Sequence, residues 1–315
     1  EAYIHTTRSY HWYLTGFLGW VFALIGLNIQ HDANHGAVSR YAWVNRLLGM
    51  SQNWIGGSAV DWIHQHVVQH HINPNDEDHD PDIVGNIALR LNPTHQIKPS
   101  MLYQHIYVFA MLFLFGFTYI FGSLGHIIQG IHFTKFSELI LPNRLFEGAT
   151  VFFFLARWLV LPFYSNCYAF ASEPVIATML NIAPLFVVGG FYLSFFFLIS
   201  HNFEGVAVYQ SGYLSTVEPS FLRKQVATGS NVGGSWLCFL NGGLNYQIEH
   251  HLFPRIQHSH YPTIAPVVRK FCEERNIPYV HFPTVADNVA SCVGHLHQMG
   301  HQKLPSGYRS CKKDS

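Results

Sequence analysis

Pro174-Val-Ile-Ala-Thr-Met-Leu-Asn-Ile-Ala-Pro-Leu-Phe-Val-Val-Gly-Gly-Phe-Tyr-Leu-Ser-Phe-Phe-Phe-Leu-Ile-Ser200 contains no charged side chain. A bilayer core about 30 Å thick is crossed by roughly 20 apolar residues in a helix. The stretch is long enough, and Pro184 predicts a break or kink within it. Three other runs approach the same length: Leu14–Gln30, Met101–Gly122 and Gly148–Ser172. In chain order the four are segments A to D. Trp12, Tyr13, Trp158, Tyr164 and Tyr192 stand near their ends, as interfacial aromatics do. One such run could be a buried core helix of a soluble protein. Four of them, in a chain only 11% charged, predict an all-α integral membrane protein.

Composition removes other classes. Hydrophobic residues are 49% of the 315, which is incompatible with disorder. The formal net charge is zero, so no basic excess points to nucleic acid. Cys167, Cys238, Cys272, Cys292 and Cys311 form no CxxC pair and read as free thiols of a reducing compartment. Residues 1–12 do not resemble a signal peptide, and the chain reads as a piece of a longer protein. The expected organisation is one domain over residues 1–302, truncated at its start, followed by a polar tail over 303–315.

The 22 histidines outnumber the 18 Lys+Arg. Three groups carry helical spacing: His31-Asp-Ala-Asn-His35, His66-Val-Val-Gln-His70-His71 and Gln247-Ile-Glu-His250-His251. Residues four apart share a helix face, as His31/His35, His66/His70 and Gln247/His251 do. A residue one position on, such as His71, is turned by about 100° and can serve a second metal. Seven clustered imidazoles and an amide are too many for one zinc. They suit two redox-active irons in a dinuclear site. His201 ends segment D, where it could be interfacial or could reach such a site. His5, His11, His95, His105, His126, His132 and His281 stand alone and read as surface or interfacial residues. His295, His297 and His301 read as a solvent-facing group.

These motifs resemble the membrane fatty acyl desaturases, and within them the front-end type. The specific mark is Gln247 in place of a first histidine, within Asn245-Tyr-Gln-Ile-Glu-His-His-Leu-Phe-Pro254. Asn53-Trp-Ile-Gly-Gly57, Ile199-Ser-His-Asn-Phe203 and Asn241-Gly-Gly-Leu-Asn-Tyr-Gln247 extend the likeness, which is greatest to Δ5-type enzymes of microalgae and diatoms. The resemblance implies a non-haem di-iron centre held by His31, His35, His66, His70, His71, His201, Gln247, His250 and His251. It implies a cytosolic helical cap carrying that centre on the membrane helices, in the endoplasmic reticulum. It also implies O2 as oxidant, a fatty acyl lipid or acyl-CoA as substrate, and electrons from cytochrome b5 and its reductase. The cytochrome b5 domain that such enzymes often carry upstream, with its His-Pro-Gly-Gly, has no counterpart in these residues. The implied reaction places a cis double bond between an existing one and the carboxyl end, at Δ5. Δ6 fatty acyl and Δ8 sphingolipid desaturases or hydroxylases of the same family are the alternatives. A histidine-rich transporter is the alternative of another class, but it would place its ionisable residues near mid-membrane. Here they fall at segment ends and in polar connectors.

Ligating imidazoles are oriented by a second hydrogen bond. Asp32, Asn34, Glu249 and His64 are the candidates for that work. The run Asp76-Glu-Asp-His-Asp-Pro-Asp82 has two readings: a solvated turn, or carboxylates that orient imidazoles. Topology follows from parity. An even number of crossings must separate His71 from His201, so one of B, C and D does not span. Segment B, with Gln104 and His105, is expected in the interface. Segment C then pairs with D, its Arg157 snorkelling or facing protein.

Overall fold

The computed structural model describes residues 1–6, 11–84, 86–132, 144–164, 172–209 and 220–303. Cys167, Cys311 and the predicted tail beyond residue 303 lie outside them. Cys238, Cys272 and Cys292 are free and buried.

Segment A becomes α1, Trp12–Asn34. Segment C becomes α5, Arg144–Tyr164, and segment D becomes α6, Pro174–His201. These three helices are long and apolar enough to cross a membrane. Pro184 lies inside α6 without ending it, so the predicted break is absent. Trp12, Phe17, Phe152, Phe153, Ile176 and Met179 point outward and are exposed. An apolar exterior on three long helices is the pattern of chains solvated by lipid.

The helices α1 and α6 lie parallel and in close contact. The Thr15 hydroxyl donates to the Asn181 carbonyl at 2.7 Å, Gly19 lies on Leu185, and Gly26 lies on Leu193. A Cβ on Gly19 would stand 2.3 Å from the Leu185 carbonyl oxygen, and one on Gly189 would stand 2.8 Å from that of Gly19. Small residues permit this approach, the usual device between membrane helices. Because the pair is parallel, His31, His35 and His201 emerge at the same end. The helix α5 runs the other way. Near its start the Glu147 carboxylate accepts from Ser58 Oγ at 2.6 Å and Asn53 Nδ2 at 2.8 Å. Further along, Trp158 packs on Phe22. Arg157 does not snorkel: it is buried, donates to the Trp54 carbonyl at 2.7 Å and lies over the Trp54 ring.

Segment B does not lie flat in the interface. It breaks into α3, Gln104–Leu112, extended upstream by a 3₁₀ turn, and α4, Phe115–Gln129, with an 81° bend between the two halves. At the bend Gly116 meets Gly190, deep in α6. Both outer ends return to the histidine side. Gln104 Nε2 donates to the Arg90 and Leu296 carbonyls. His126, near the end of α4, bonds Asp61, five residues before His66. The bent pair therefore enters and leaves on one side, which satisfies the parity of the histidines.

The remaining elements cap that end. Ala59–Trp62 continues as a π-helix, Ile63–His70, together forming α2. Phe221–Ala227 is α7, Gln247–Leu252 is α8, Tyr261–Glu274 is α9 and Val285–His301 is α10. The sole named sheet among the described residues is a two-residue parallel pair, Asn231–Val232 with His281–Phe282, so the chain is mostly helical. Arg90, fully buried, ties the residues around it to the end of α10. Its Nε donates to His95 and its guanidinium reaches the Pro93, Met299 and Gln302 carbonyls. His295 is buried, not solvent-facing as its spacing suggested.

Candidate metal centre

Eight histidines and Gln247 converge where α1, α2, α6 and α8 meet, and all nine are buried. They fall into two groups. Ring nitrogens of His31, His35, His66 and His250 lie within 4.8 Å of one another, and so do those of His70, His201 and His251. Gln247 Nε2 stands 2.8 Å from His201 Nε2 in the second group. His71 lies between the groups, its Nε2 3.2 Å from His66 Nε2 and its ring stacked on His251.

This partition differs from the expected one. An α-helix would pair His66 with His70 and turn His71 away. The segment is instead π-helical, and the His71 amide donates to the His66 carbonyl five residues back, at 3.1 Å. The wider turn brings positions i and i+5 onto one face, so His66 meets His71 while His70 joins the other group. A second π turn, Gly26–Gln30, delivers His31. Gly242 rests on that turn. It has φ +62°, and a Cβ there would stand 2.0 Å from the Leu27 carbonyl oxygen. The glycine pair before Gln247 thus lets the third motif dock on the first.

Each group is held from behind. His70 Nδ1 bonds Asp80 at 3.0 Å, and Asp80 accepts from the Asn75 amide at 2.7 Å. His201 Nδ1 donates to the Thr228 carbonyl, and His251 Nδ1 to Gln225 Oε1, both at 2.8 Å. Gln225 Nε2 in turn donates to the His71 carbonyl. His250 Nδ1 meets the Tyr261 hydroxyl at 3.3 Å. Asp32 bonds His258 Nδ1 at 2.7 Å and stands 3.9 Å from His31 Nδ1. This backing of His70, His201, His250 and His251 leaves their other nitrogens aimed inward.

Of the four candidates for this role, only Asp32 approaches a ring of the centre. Asn34 bonds Gln30 and the Gly49 carbonyl. Glu249 accepts from Asn231 at 2.7 Å and Tyr279 at 2.9 Å, which fixes α8 without touching an imidazole. His64 lies apart, stacked on His132. The acidic run is only partly a solvated turn: Asp76, Glu77 and Asp80 are buried, while Asp78, His79 and Asp82 are exposed. Gln225, Thr228, Tyr261 and His258 carry no sequence signal of their own. They lie 11 to 226 residues from the groups they support and belong to common residue types.

Electrostatics prepares the site for a cation. Burial, and then neighbouring imidazoles, push His35, His66, His71, His250 and His251 well below the ordinary histidine range. They are neutral at pH 7, the form that binds metal. For His70 burial acts in the same direction, but the Asp80 and Asp82 carboxylates outweigh it and raise it to about 9. Burial would raise Asp80, and His70 reverses this, holding the carboxyl below its usual value. The inward nitrogens test the fit to a metal. His31, His35 and His250 Nε2 are buried with no hydrogen-bond partner among the described residues. His70 and His251 each direct Nε2 at His201 Nε2, at 3.3 and 3.2 Å. Buried ring nitrogens face each other at that range when a cation or proton belongs between them. An imidazole set with one amide is consistent with iron, one of the first-row metals that imidazole suits.

A cavity of about 390 Å³ opens onto this centre. Phe22, Leu27, Phe115, Ile120, Leu185 and Phe197 line its apolar body, and His66, His70 and His201 border its inner end. Helices of membrane-crossing length, histidines in two groups able to hold metal and an apolar cavity reaching them make up one candidate site. The chain belongs to the fatty acid desaturase family, whose model matches residues 10–283. It is 46% identical over 291 residues to the acyl-lipid (7-3)-desaturase of Rebecca salina, covering 90% of this chain and 63% of that one. Identity is 33% to the acyl-lipid (8-3)-desaturase of Physcomitrium patens, covering 90% of this chain and 59% of the relative. Identity is 30% to Delta(5) fatty acid desaturase A of Dictyostelium discoideum, over 95% and 66%. The chain thus spans about 60% of the length of the first curated relatives it matches.

Proposed function

We propose that the full protein is a front-end acyl desaturase. It introduces a cis double bond between an existing double bond and the carboxyl end of a polyunsaturated acyl chain. The observation that carries this reading is the apolar cavity ending on two separate histidine groups. His31, His35, His66, His71 and His250 would hold one iron, and His70, His201, His251 and Gln247 the other. The irons, when bound, supply the oxidising power that an unactivated methylene requires.

This chain's residues supply position, dryness and charge control. The walls of the cavity exclude water and hold the acyl chain by dispersion and burial, so that one C–C bond faces the histidines. Gln65, Asp80, Asp82 and Asn86 are polar residues of the lining, and Asp80 and Asp82 adjoin His70. The length of apolar wall between the histidines and the head-group end would set where the bond is placed. Asp80 keeps His70 Nε2 directed at its group, as Gln225 does for His251. In the balanced reaction two hydrogens leave adjacent methylenes, and O2 takes these, two electrons and two protons to form two waters. Cytochrome b5 and its reductase are the proposed source of electrons, and the endoplasmic reticulum membrane is the proposed location, with the cap in the cytosol. The domain is proposed to occupy residues 1–302.

For regiochemistry, the (7-3) name of the 46%-identical relative makes that position the first to test, with Δ5 the second. The full-length protein should be expressed in a host fed defined polyunsaturated acids, and the lipids analysed by gas chromatography. A new double bond on the carboxyl side of an existing one is expected. Unaltered acids in cells that hold the iron-loaded protein would overturn the reading.

A further inference from the structure

Asp61, His126 and His132 come from three separate stretches: α2, the end of α4 and the turn after it. The two histidines were expected to be isolated surface or interfacial residues. Instead their Nδ1 atoms meet the same oxygen, Asp61 Oδ1, at 2.9 Å and 2.5 Å. The other carboxylate oxygen accepts from Ser123 Oγ at 2.9 Å, which turns Oδ1 toward the imidazoles. Asp61 is only 1% exposed, while His126 and His132 keep partial access to solvent. A buried carboxylate needs a compensating positive charge, and here no Lys or Arg is paired with it among the described residues. The three ligand atoms lie within 4.8 Å of one another. A second observation comes from His64. Its ring stacks on His132 with centroids 4.1 Å apart, and its Nδ1 is buried without a hydrogen-bond partner among the described residues. Two imidazoles and a carboxylate, with a third imidazole beside them, form a borderline donor set that suits zinc.

We infer that Asp61, His126 and His132 form a further metal site, separate from the histidine centre, that takes a divalent transition ion of the zinc type. The ion replaces the short N···O contacts with three coordinate bonds and neutralises Asp61. It sits one turn before His66 in the same helix and fastens that helix to α4. Its role is structural: it fixes the start of the helix that carries His66, His70 and His71. This inference does not rest on the desaturase reading.

The test uses tag-free, full-length protein purified in detergent, saturated with Zn²⁺ and desalted. Total transition metal per chain is then measured by mass spectrometry. Wild type is expected to hold one equivalent more than the His126→Gln/His132→Gln variant, with iron per chain unchanged between them. That difference can be read whatever the occupancy of the main centre, so failure of the di-iron reading and failure of this one are distinct results. Zinc should also raise the melting temperature of wild type and leave that of the variant unmoved. Equal metal in the two proteins would overturn the site. If the double variant precipitates, His126→Gln, on the most accessible of the three side chains, carries the test. Its zinc affinity should fall about tenfold or more, and unchanged affinity would overturn the site.

Discussion

Asp80 shows how much one residue outside the histidine motifs contributes. It lies ten positions after His70 and looked equally like part of a solvated turn. Burial, the bond to His70 and the Asn75 amide make it the backing group for one imidazole. Replacing such a partner costs roughly 10–100-fold in metal affinity. Asp80→Asn should therefore lower retained iron, as read by metal analysis after dialysis against a graded chelator. It should also change the protons released on binding. Without metal His70 stands at about 9, so it is protonated at pH 7, while five neighbours are held neutral. Metal uptake at pH 7 should therefore release roughly one proton from His70. Calorimetry in buffers of different ionisation enthalpy would measure it. The release should vanish as pH rises through about 9, and Asp80→Asn should reduce it at pH 7.

At the scale of elements, the π turns decide the partition of the histidines. Spacing by itself makes His31/His35 and His66/His70 equivalent pairs. In the folded chain the first pair stays together and the second is divided between groups. Deleting Val67 would return Ile63–His70 to α-helical register: His71, then four after His66, keeps its face, while His70, then three after it, is turned from its place opposite His201. Iron content should fall sharply while circular dichroism keeps its helical signal. Iron at the wild-type level would show that the π turn is dispensable. The glycine contact between α1 and α6 makes a second prediction. Gly189→Leu forces a side chain against the Gly19 backbone, where even a Cβ is 2.8 Å from oxygen. Overpacking of this kind costs about 1–3 kcal/mol or more. Thermal unfolding in detergent should show a lower midpoint, with His31 and His201 losing their common register and iron falling with it.

For the whole molecule, the parallel α1–α6 pair, the antiparallel α5 and the re-entrant α3–α4 enclose the cavity and close it with the histidine cap. Leu193 and Phe197 lie on its wall along α6. Leu193→Trp should shorten the usable cavity without touching a histidine. Iron content should hold, and the product profile by gas chromatography should move toward shorter fed acids. An unchanged profile would place the acyl chain elsewhere.

The sequence alone was sufficient for the four apolar segments and the three histidine motifs that meet in the centre, whereas His201 joined them only through the family resemblance. Run length and short-range histidine spacing are local properties, and local properties survive in a one-dimensional pattern. Only the tertiary structure decided which imidazoles share a group, that segment B dips inward and returns, and that Gln225, Tyr261 and His258 stand behind the rings. The same holds for Asp61, His126 and His132, which looked unrelated across some seventy positions. The reason is physical. A π turn changes no residue's identity, yet it rotates every later side chain. The partners of a buried polar group are fixed by which helices pack together, and the chain order does not record that packing.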